Sequence, residues 1–162
     1  MSHDKIKAAA RRRMAQTGES YTAARRAVTE EPRFFALSYD SAGLNWLTRS
    51  ADTLLGGGPG KDGVWVYADR LHIRVATFTL DVPRSSVRSP ARSQAVLRGT
   101  TGVHVVRGRA LINGSARGLV EFGVEPQLRT GRTLDTMFLR QRVSRVVLSL
   151  EDPDGFLAAA RG

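Results

Sequence analysis

Basic side chains concentrate in the first 33 residues and are the strongest chemical signal of the sequence. Arginine supplies most of the net charge of +10, because Lys5, Lys7 and Lys61 are the only lysines. A guanidinium forms bidentate contacts with phosphate and stacks on bases, which favours an anionic ligand. The candidate nucleic-acid or anion-binding residues are Lys5, Lys7, Arg11, Arg12, Arg13, Arg25 and Arg26. A solvated surface without a ligand would carry the same charge.

A second set of arginines falls in the expected turns of the remaining chain. Loops gathered at one end of a β structure can form a phosphate-binding rim. The candidate rim residues are Arg84, Arg88, Arg92, Arg98, Arg107, Arg109 and Arg117. Arginines in turns also serve solubility alone, and that alternative stays open. Trp65 and Tyr67 alternate with valines and are expected to divide between core and surface, so the sequence predicts no base-stacking platform.

Residues that could catalyse a reaction do not converge in the sequence. Cysteine is absent, which excludes disulfides, thiolate nucleophiles and zinc sites with sulfur ligands. His3, His72 and His104 make no metal-ligand spacing, and the last two are expected to be structural. Ser85 and Ser86 lack the motif of a nucleophile elbow. We therefore expect no enzymatic activity, no metal and no cofactor.

The glycine-rich stretch 56–60, followed by Lys61, does not form a nucleotide-binding loop. The required first glycine falls on Leu55, and Asp62 stands where the magnesium-binding hydroxyl belongs. The carboxylates of the later chain show no matched spacing for an acid and a base, and we interpret them as surface or turn groups. These carboxylates are Asp69, Asp81, Glu121 and Glu125.

The N-terminal cations fall on two predicted helices, which together form an arm over residues 1–33. Helical spacing predicts the first helix from Asp4 to Gln16 and the second from Ser20 to Glu30, separated at Gly18 and stopped by Pro32. The thin apolar stripes of these helices are Ile6, Ala10 and Met14, and Tyr21, Ala24 and Val28. A unit this small must dock on another domain, dimerise or fold on a ligand.

Residues 34–162 have the alternation and punctuation of a β domain. The predicted strands are Phe34–Tyr39, Val64–Tyr67, Leu71–Val75, Phe78–Val82, an edge segment between Pro83 and Pro90, Val103–Val106, Ala110–Ile112, Leu119–Val124 and Val143–Leu150. Helices are predicted at Ser41–Leu55 and at Gly155–Ala160, the latter capped by Asp152 or Asp154. Asn113 and Gly114 predict a type I′ hairpin turn or the start of a longer loop. The prediction is a mainly β (α+β) fold, a small barrel or sandwich of about seven strands closed by a terminal helix.

Three stretches resemble known bacterial sequences. Residues 145–157, RVVLSLEDPDGFL, resemble the last strand and helix of bacterial PH-like domains, and residues 103–124 are similar to a stretch of uncharacterised actinobacterial proteins of that kind. This resemblance covers residues 34–160, departs by inserting the helix at 41–55, and implies a PH-like fold without enzymatic activity. Residues 17–26 resemble a short N-terminal motif of actinobacterial and plasmid-borne proteins, which implies a portable binding module.

The charge pattern favours a non-enzymatic cytoplasmic binding protein whose arm contacts nucleic acid or an assembly that contains it. No apolar run reaches the roughly 18–20 residues of a membrane span, and no signal-peptide stretch is expected. Two alternatives stay open: a PH-like module for protein interaction or self-association, and peripheral binding to anionic lipid, for which the apolar stripes lack Trp and Phe. The two helices also outline a helix-turn-helix, although a third core helix is missing.

Overall fold

Alternating apolar side chains produce a mainly β fold, as predicted. The structure, a computed structural model, describes residues 3–29, 31–39, 57–58, 60–95, 102–131 and 139–161. The helices are α1 (His3–Thr17), α2 (Tyr21–Thr29) and α3 (Pro153–Arg161). The strands are β1 (Arg33–Ala36), β2 (Gly63–Val66), β3 (Arg70–Val75), β4 (Phe78–Pro83), β5 (Val87–Arg92), β6 (Gly102–Val106), β7 (Arg109–Asn113), β8 (Leu119–Arg129) and β9 (Arg142–Ser149). The helix predicted at 41–55 lies outside the described residues.

The first sheet is an antiparallel meander in the order β1-β2-β3-β4. Phe35, Val64, Ile73 and Leu80 pair directly across its four strands and are buried on the inward face. Because successive side chains of a strand point to opposite faces, their neighbours in each strand point outward. The strands predicted at Val64–Tyr67, Leu71–Val75 and Phe78–Val82 are confirmed as β2, β3 and β4.

The second sheet has the order β5-β8-β9-β7-β6, with β7 parallel to β9 and the other pairs antiparallel. The β6–β7 hairpin turns at Arg107 and Gly108, whose φ angles of 50° and 81° are those of a tight two-residue hairpin turn. The hairpin predicted there is confirmed. The prediction of a hairpin turn at Asn113 and Gly114 is wrong, because β9 lies between β7 and β8 in the sheet. A longer loop joins β7 to β8, which is the alternative that the sequence left open. β5, which contains Pro90, is an edge strand as predicted.

Residues that follow β1 join the two sheets at a corner. The Leu37 N–H donates to the Asp62 carbonyl at 3.0 Å on the side of the first sheet, and the Ser38 N–H donates to the Ser149 carbonyl at 3.0 Å on the side of the second. Leu37 also forms a bridge with Leu150 at the end of β9. A chain that passes from one sheet to the other makes such corners in packed sheets. Among the described strands, the sheets do not close into a barrel.

Helix α3 covers the apolar space between the sheets. Its Phe156 is fully buried, with ring centroids 5.7 Å from Phe35 of the first sheet and 6.2 Å from Phe122 of the second. The helix begins two residues earlier than predicted, and the predicted cap at Asp152 is confirmed: its Oδ1 accepts the Gly155 N–H at 2.9 Å. One core therefore contains residues of both sheets and of the terminal helix.

The buried carboxylate of Asp62 fixes the loop that leads into β2. Its Oδ2 accepts the Gly58 N–H and the Tyr39 hydroxyl, each at 2.6 Å, and its Oδ1 accepts the Ala76 N–H at 3.0 Å. Asp62 is fully buried, so these donors replace the water that a carboxylate requires. The residue that rules out a nucleotide-binding loop is thus a structural anchor for three segments.

We predict that Asp62→Asn lowers the free energy of unfolding by about 2–4 kcal/mol, because the amide presents N–H groups to donors that need an acceptor. Tyr39→Phe is the matched control, since it removes one donor and leaves the carboxylate, and should cost about 1 kcal/mol. Urea unfolding of the two variants measures both values. An Asp62→Asn variant as stable as Tyr39→Phe would contradict the anchor role.

Candidate anion-binding surfaces

The arm is a helical hairpin whose turn follows from local sequence. Gly18 adopts a φ of 72°, and its N–H donates to the Met14 carbonyl at 2.9 Å, which ends α1. The Ser20 hydroxyl accepts the Ala23 N–H at 3.3 Å and caps α2, as predicted. Ala10 and Ala24, the middle members of the two predicted stripes, are fully buried. The stripes therefore hold the two helices together, with α1 and α2 in contact.

Four of the predicted anion-binding cations are exposed on this hairpin. Lys7 and Arg11 lie one turn apart on α1, about 6 Å along its axis. Arg12 follows on the adjoining side of α1, and Arg25 lies on α2. The side chains of Lys5 and Arg26 lie outside the described residues.

Arg13 differs from these four because it fastens the arm to the sheet. Its guanidinium forms an ion pair with Glu19, and its Nη1 lies 3.6 Å from Oδ2 of Asp69 in the β2–β3 turn. Only 17% of the Arg13 side chain is exposed. A guanidinium held between two carboxylates offers little surface to a phosphate. The structure therefore assigns Arg13 to docking, although the sequence grouped it with the ligand-binding cations.

Three of the candidate rim arginines make contacts within the fold. Arg84 donates from Nη2 to the Ala159 carbonyl at 2.9 Å, near the end of α3. Arg92 donates to Asp154 from Nε at 3.1 Å and from Nη2 at 2.8 Å, which links β5 to the first turn of α3. Arg88 donates from Nη1 to the Ser85 carbonyl at 2.6 Å. These contacts hold the terminal helix and the edge strand in place.

The remaining candidate rim residues do not meet at one end of the second sheet. Arg107 and Arg109 lie at the beginning of β7, whereas Arg117 follows its other end. All three are exposed. Arg98 lies outside the described residues. Arg109 lies in one row with Arg88, because it pairs with Arg145 of β9, and Gly123 of β8 pairs with both Arg145 and Arg88. These two candidates share the outward face of the second sheet, whereas Arg117 lies at the opposite end of β7.

A row of aromatic side chains crosses the outward face of the first sheet. Phe34, Trp65, His72 and Asp81 occupy directly paired positions on the four strands. The Phe34 and Trp65 ring centroids are 4.6 Å apart at an interplanar angle of 38°, and those of Trp65 and His72 are 5.7 Å apart. His72 Nδ1 lies 2.9 Å from Oδ1 of Asp81 and completes the row.

Arg70 and Tyr67 extend this row toward the β2–β3 turn. The Arg70 guanidinium carbon lies 4.2 Å from the centre of the Tyr67 ring, and its Nε lies 3.5 Å from Oδ1 of Asp81. The expectation that Trp65 and Tyr67 divide between core and surface is wrong, because both are half-buried, whereas Val64 and Val66 of β2 are buried. The alternation of Trp65 and Tyr67 with valines is the feature of the sequence from which this surface could have been predicted.

An open cleft of about 490 Å³ lies where the arm, the first sheet and α3 meet. Arg33, Tyr67 and Arg84 line it together with Glu31 and the alanines near the end of α3. The cleft is therefore continuous with the Tyr67 end of the aromatic row. Its opposed charges, with Glu31 facing two arginines, do not select one sign of ligand.

Other site types find no support within the described residues. No three histidine or carboxylate side chains there come close enough to hold a metal ion. None of the described helices combines the length and apolar character needed to cross a membrane. Comparison with protein-family models, with curated proteins and with solved structures finds no match to this chain.

We predict that Asp69→Ala loosens the arm, because it removes the carboxylate that Arg13 contacts in the β2–β3 turn. Exposed ion pairs contribute about 0.2–1 kcal/mol, so amide hydrogen exchange in α1 should accelerate by roughly two- to fivefold. Asp81→Ala is the matched control, since it also removes a partner of Arg70 but none of Arg13. Equal acceleration of α1 exchange by both variants would contradict the docking role.

Proposed function

We propose that this chain is a non-enzymatic, cytoplasmic binding protein in which a PH-like body holds a basic helical arm against nucleic acid or another polyanion. The observation that carries this proposal is the division of roles among the cations of the arm. Arg13 docks the hairpin on the β2–β3 turn, whereas Lys7, Arg11, Arg12 and Arg25 are exposed. A docked helix presents its cations at fixed spacing, which lowers the ordering cost of a phosphate contact.

The strand order supports the PH-like part of the proposal. The β6–β7 hairpin lies between β5 and β8 in the chain but at the far side of β9 in the sheet. Apart from this hairpin, the described elements are the four-strand meander of the first sheet, the three strands β5, β8 and β9 of the second, and the terminal helix. That agrees with the roughly seven strands and closing helix expected for such a body. The stretch 145–157 that carries the resemblance falls on β9 and α3.

Charge-neutral variants test the arm directly. The variant Lys7→Gln, Arg11→Gln, Arg12→Gln should bind single- and double-stranded nucleic acid more weakly than the natural protein. Fluorescence anisotropy between about 50 and 200 mM salt should show a log–log salt slope smaller by about 2–3, or 0.7–0.9 for each lost phosphate contact.

The matched control removes the same charge from the body, through Arg107→Gln, Arg109→Gln and Arg117→Gln. Its binding and its salt slope should stay close to those of the natural protein. If both triple variants lose equal affinity, net charge rather than the arm causes the binding. If the natural protein binds no nucleic acid at about 50 mM salt, the proposed function is wrong.

A second candidate function, self-association, is favoured by the edge strand β6. Among the described strands, β6 pairs only with β7 and is an edge strand of the second sheet. It contains neither proline nor lysine, which protect many edge strands, and Val106 at its end is 64% exposed. A second copy could extend the sheet by pairing β6 with β6.

We predict that Val106→Lys weakens any such dimer, because a lysine on an edge strand protects it against pairing with another strand. Sedimentation at about 0.5 M salt, where surface charge is screened, measures the association constant. Leu139→Lys is the matched control, since Leu139 is 63% exposed but lies outside β6. If both variants weaken the dimer equally, or if neither variant weakens it, the dimer does not form through this edge of β6.

A further inference from the structure

Phe34 stays exposed although the same strand supplies a buried phenylalanine beside it. Its side chain is 39% exposed, and its ring packs on Trp65 and over Gly63, where a Cβ would overlap the ring. The fold therefore keeps this ring on the outward face and leaves part of it exposed to solvent. A partly exposed aromatic ring beside a second one offers a surface on which a planar ligand can pack.

The neighbours of Phe34 have the chemistry that binds bases. Trp65 and His72 continue the row, and Arg70 stacks on Tyr67 at its end. Bases stack on aromatic rings and on guanidinium planes, and this contact tolerates any sequence because every base has a π face. The rings lie across antiparallel strands, so a nucleic-acid strand that crosses the sheet would meet them in succession.

Among the described residues, the charges on this face leave no unpaired carboxylate to repel an anionic ligand. Asp69 and Asp81, its two described carboxylates, each contact cations: Asp69 lies near Arg13 and Arg70, and Asp81 near Arg70 and His72. Arg74 adds another cation on the outward side of β3. Asp81, Arg74 and Thr79 border the rings, so the apolar part is narrow. A protein partner would need a wider apolar patch to exclude water.

The docked arm lies beside this face. Arg13 contacts the β2–β3 turn, and that turn carries Arg70 and Tyr67 at the end of the aromatic row. A nucleic-acid strand laid along the row would therefore end beside the arm, at the turn that Arg13 contacts. A duplex cannot use the rings in this way, because its bases are stacked and paired inside the helix.

We propose that the outward face of the first sheet, centred on Phe34 and Trp65, is a base-stacking platform for single-stranded nucleic acid. This platform rests on the proposed polyanion binding by the arm and narrows its ligand to unpaired strands. The arm supplies the salt-dependent phosphate contacts, and the rings supply a preference for exposed bases.

The first test compares three labelled ligands of about 12 nucleotides, a length within the range of one small binding domain. They are an oligothymidine, the same backbone without bases, and a duplex. The natural protein should bind the oligothymidine roughly tenfold more tightly than the abasic strand, the effect of about one stacked base. The duplex should bind with an affinity close to that of the abasic strand.

Variants of the rings separate stacking from charge. Phe34→Leu keeps an apolar cover over Gly63 but removes the aromatic plane, so it should lose the tenfold preference for bases and keep the salt slope. Phe34→Tyr retains the plane and should retain the preference. Leu139→Ser is the matched control for loss of an exposed apolar side chain, and it should change neither quantity. Trp65→Leu should repeat the result of Phe34→Leu at the second ring.

A spectroscopic readout tests the contact at Trp65. Trp46 is the other tryptophan of the chain, so Trp46→Phe leaves Trp65 as the single reporter. Its fluorescence should be quenched by the oligothymidine and not by the abasic strand.

Two failures are distinguishable. If all three ligands bind equally with a steep salt slope, the arm binds polyanions and the platform is wrong. If none binds at low salt, the proposed function itself is wrong.

Discussion

Backbone hydrogen bonding along residues 33–39 is the constraint on which the rest of the fold depends. The Leu37 N–H bonds to the first sheet and the Ser38 N–H to the second, while the Ala36 carbonyl accepts the Glu151 N–H at 3.0 Å. Buried amides must be paired, so this segment cannot shift in register without breaking bonds to both sheets. The register places Phe35 and Leu37 in the core and therefore places Phe34 outside. The register of this one segment therefore determines both that Phe35 is buried and that the Phe34 ring is exposed.

The same constraint links the stability of the body to the position of the arm. Asp62 accepts the Tyr39 hydroxyl and so fixes the end of the segment that begins at Arg33, directly after the arm. Arg13 holds the other side of the arm against Asp69. The basic helices therefore lie between two fixed points, the start of β1 and the contact of Arg13 with Asp69.

Local patterns in the sequence predict local structure well and pairings between distant segments poorly. Alternation places β3 within one residue of its observed start, because the period of a strand is visible in a few residues. Asn113 and Gly114 fail as a hairpin because the parallel pairing of β7 with β9 separates β7 from β8, and nothing local indicates that pairing. Arg13 shows the same limit for the site. Its partner Asp69 lies far along the chain, so the sequence could identify a cation there but not its docking role.

The short connection between α2 and β1 has a consequence for avidity. Only the three residues from Glu30 to Pro32 separate Thr29 at the end of α2 from Arg33 at the start of β1, so these two residues are at most about 14 Å apart when the connection is extended. The arm and the proposed platform are joined closely enough to act as one bivalent site. A nucleic-acid strand bound at one of them would meet the other at an effective concentration of about millimolar. The combined affinity would then exceed that of either site alone, although no further contacts are added.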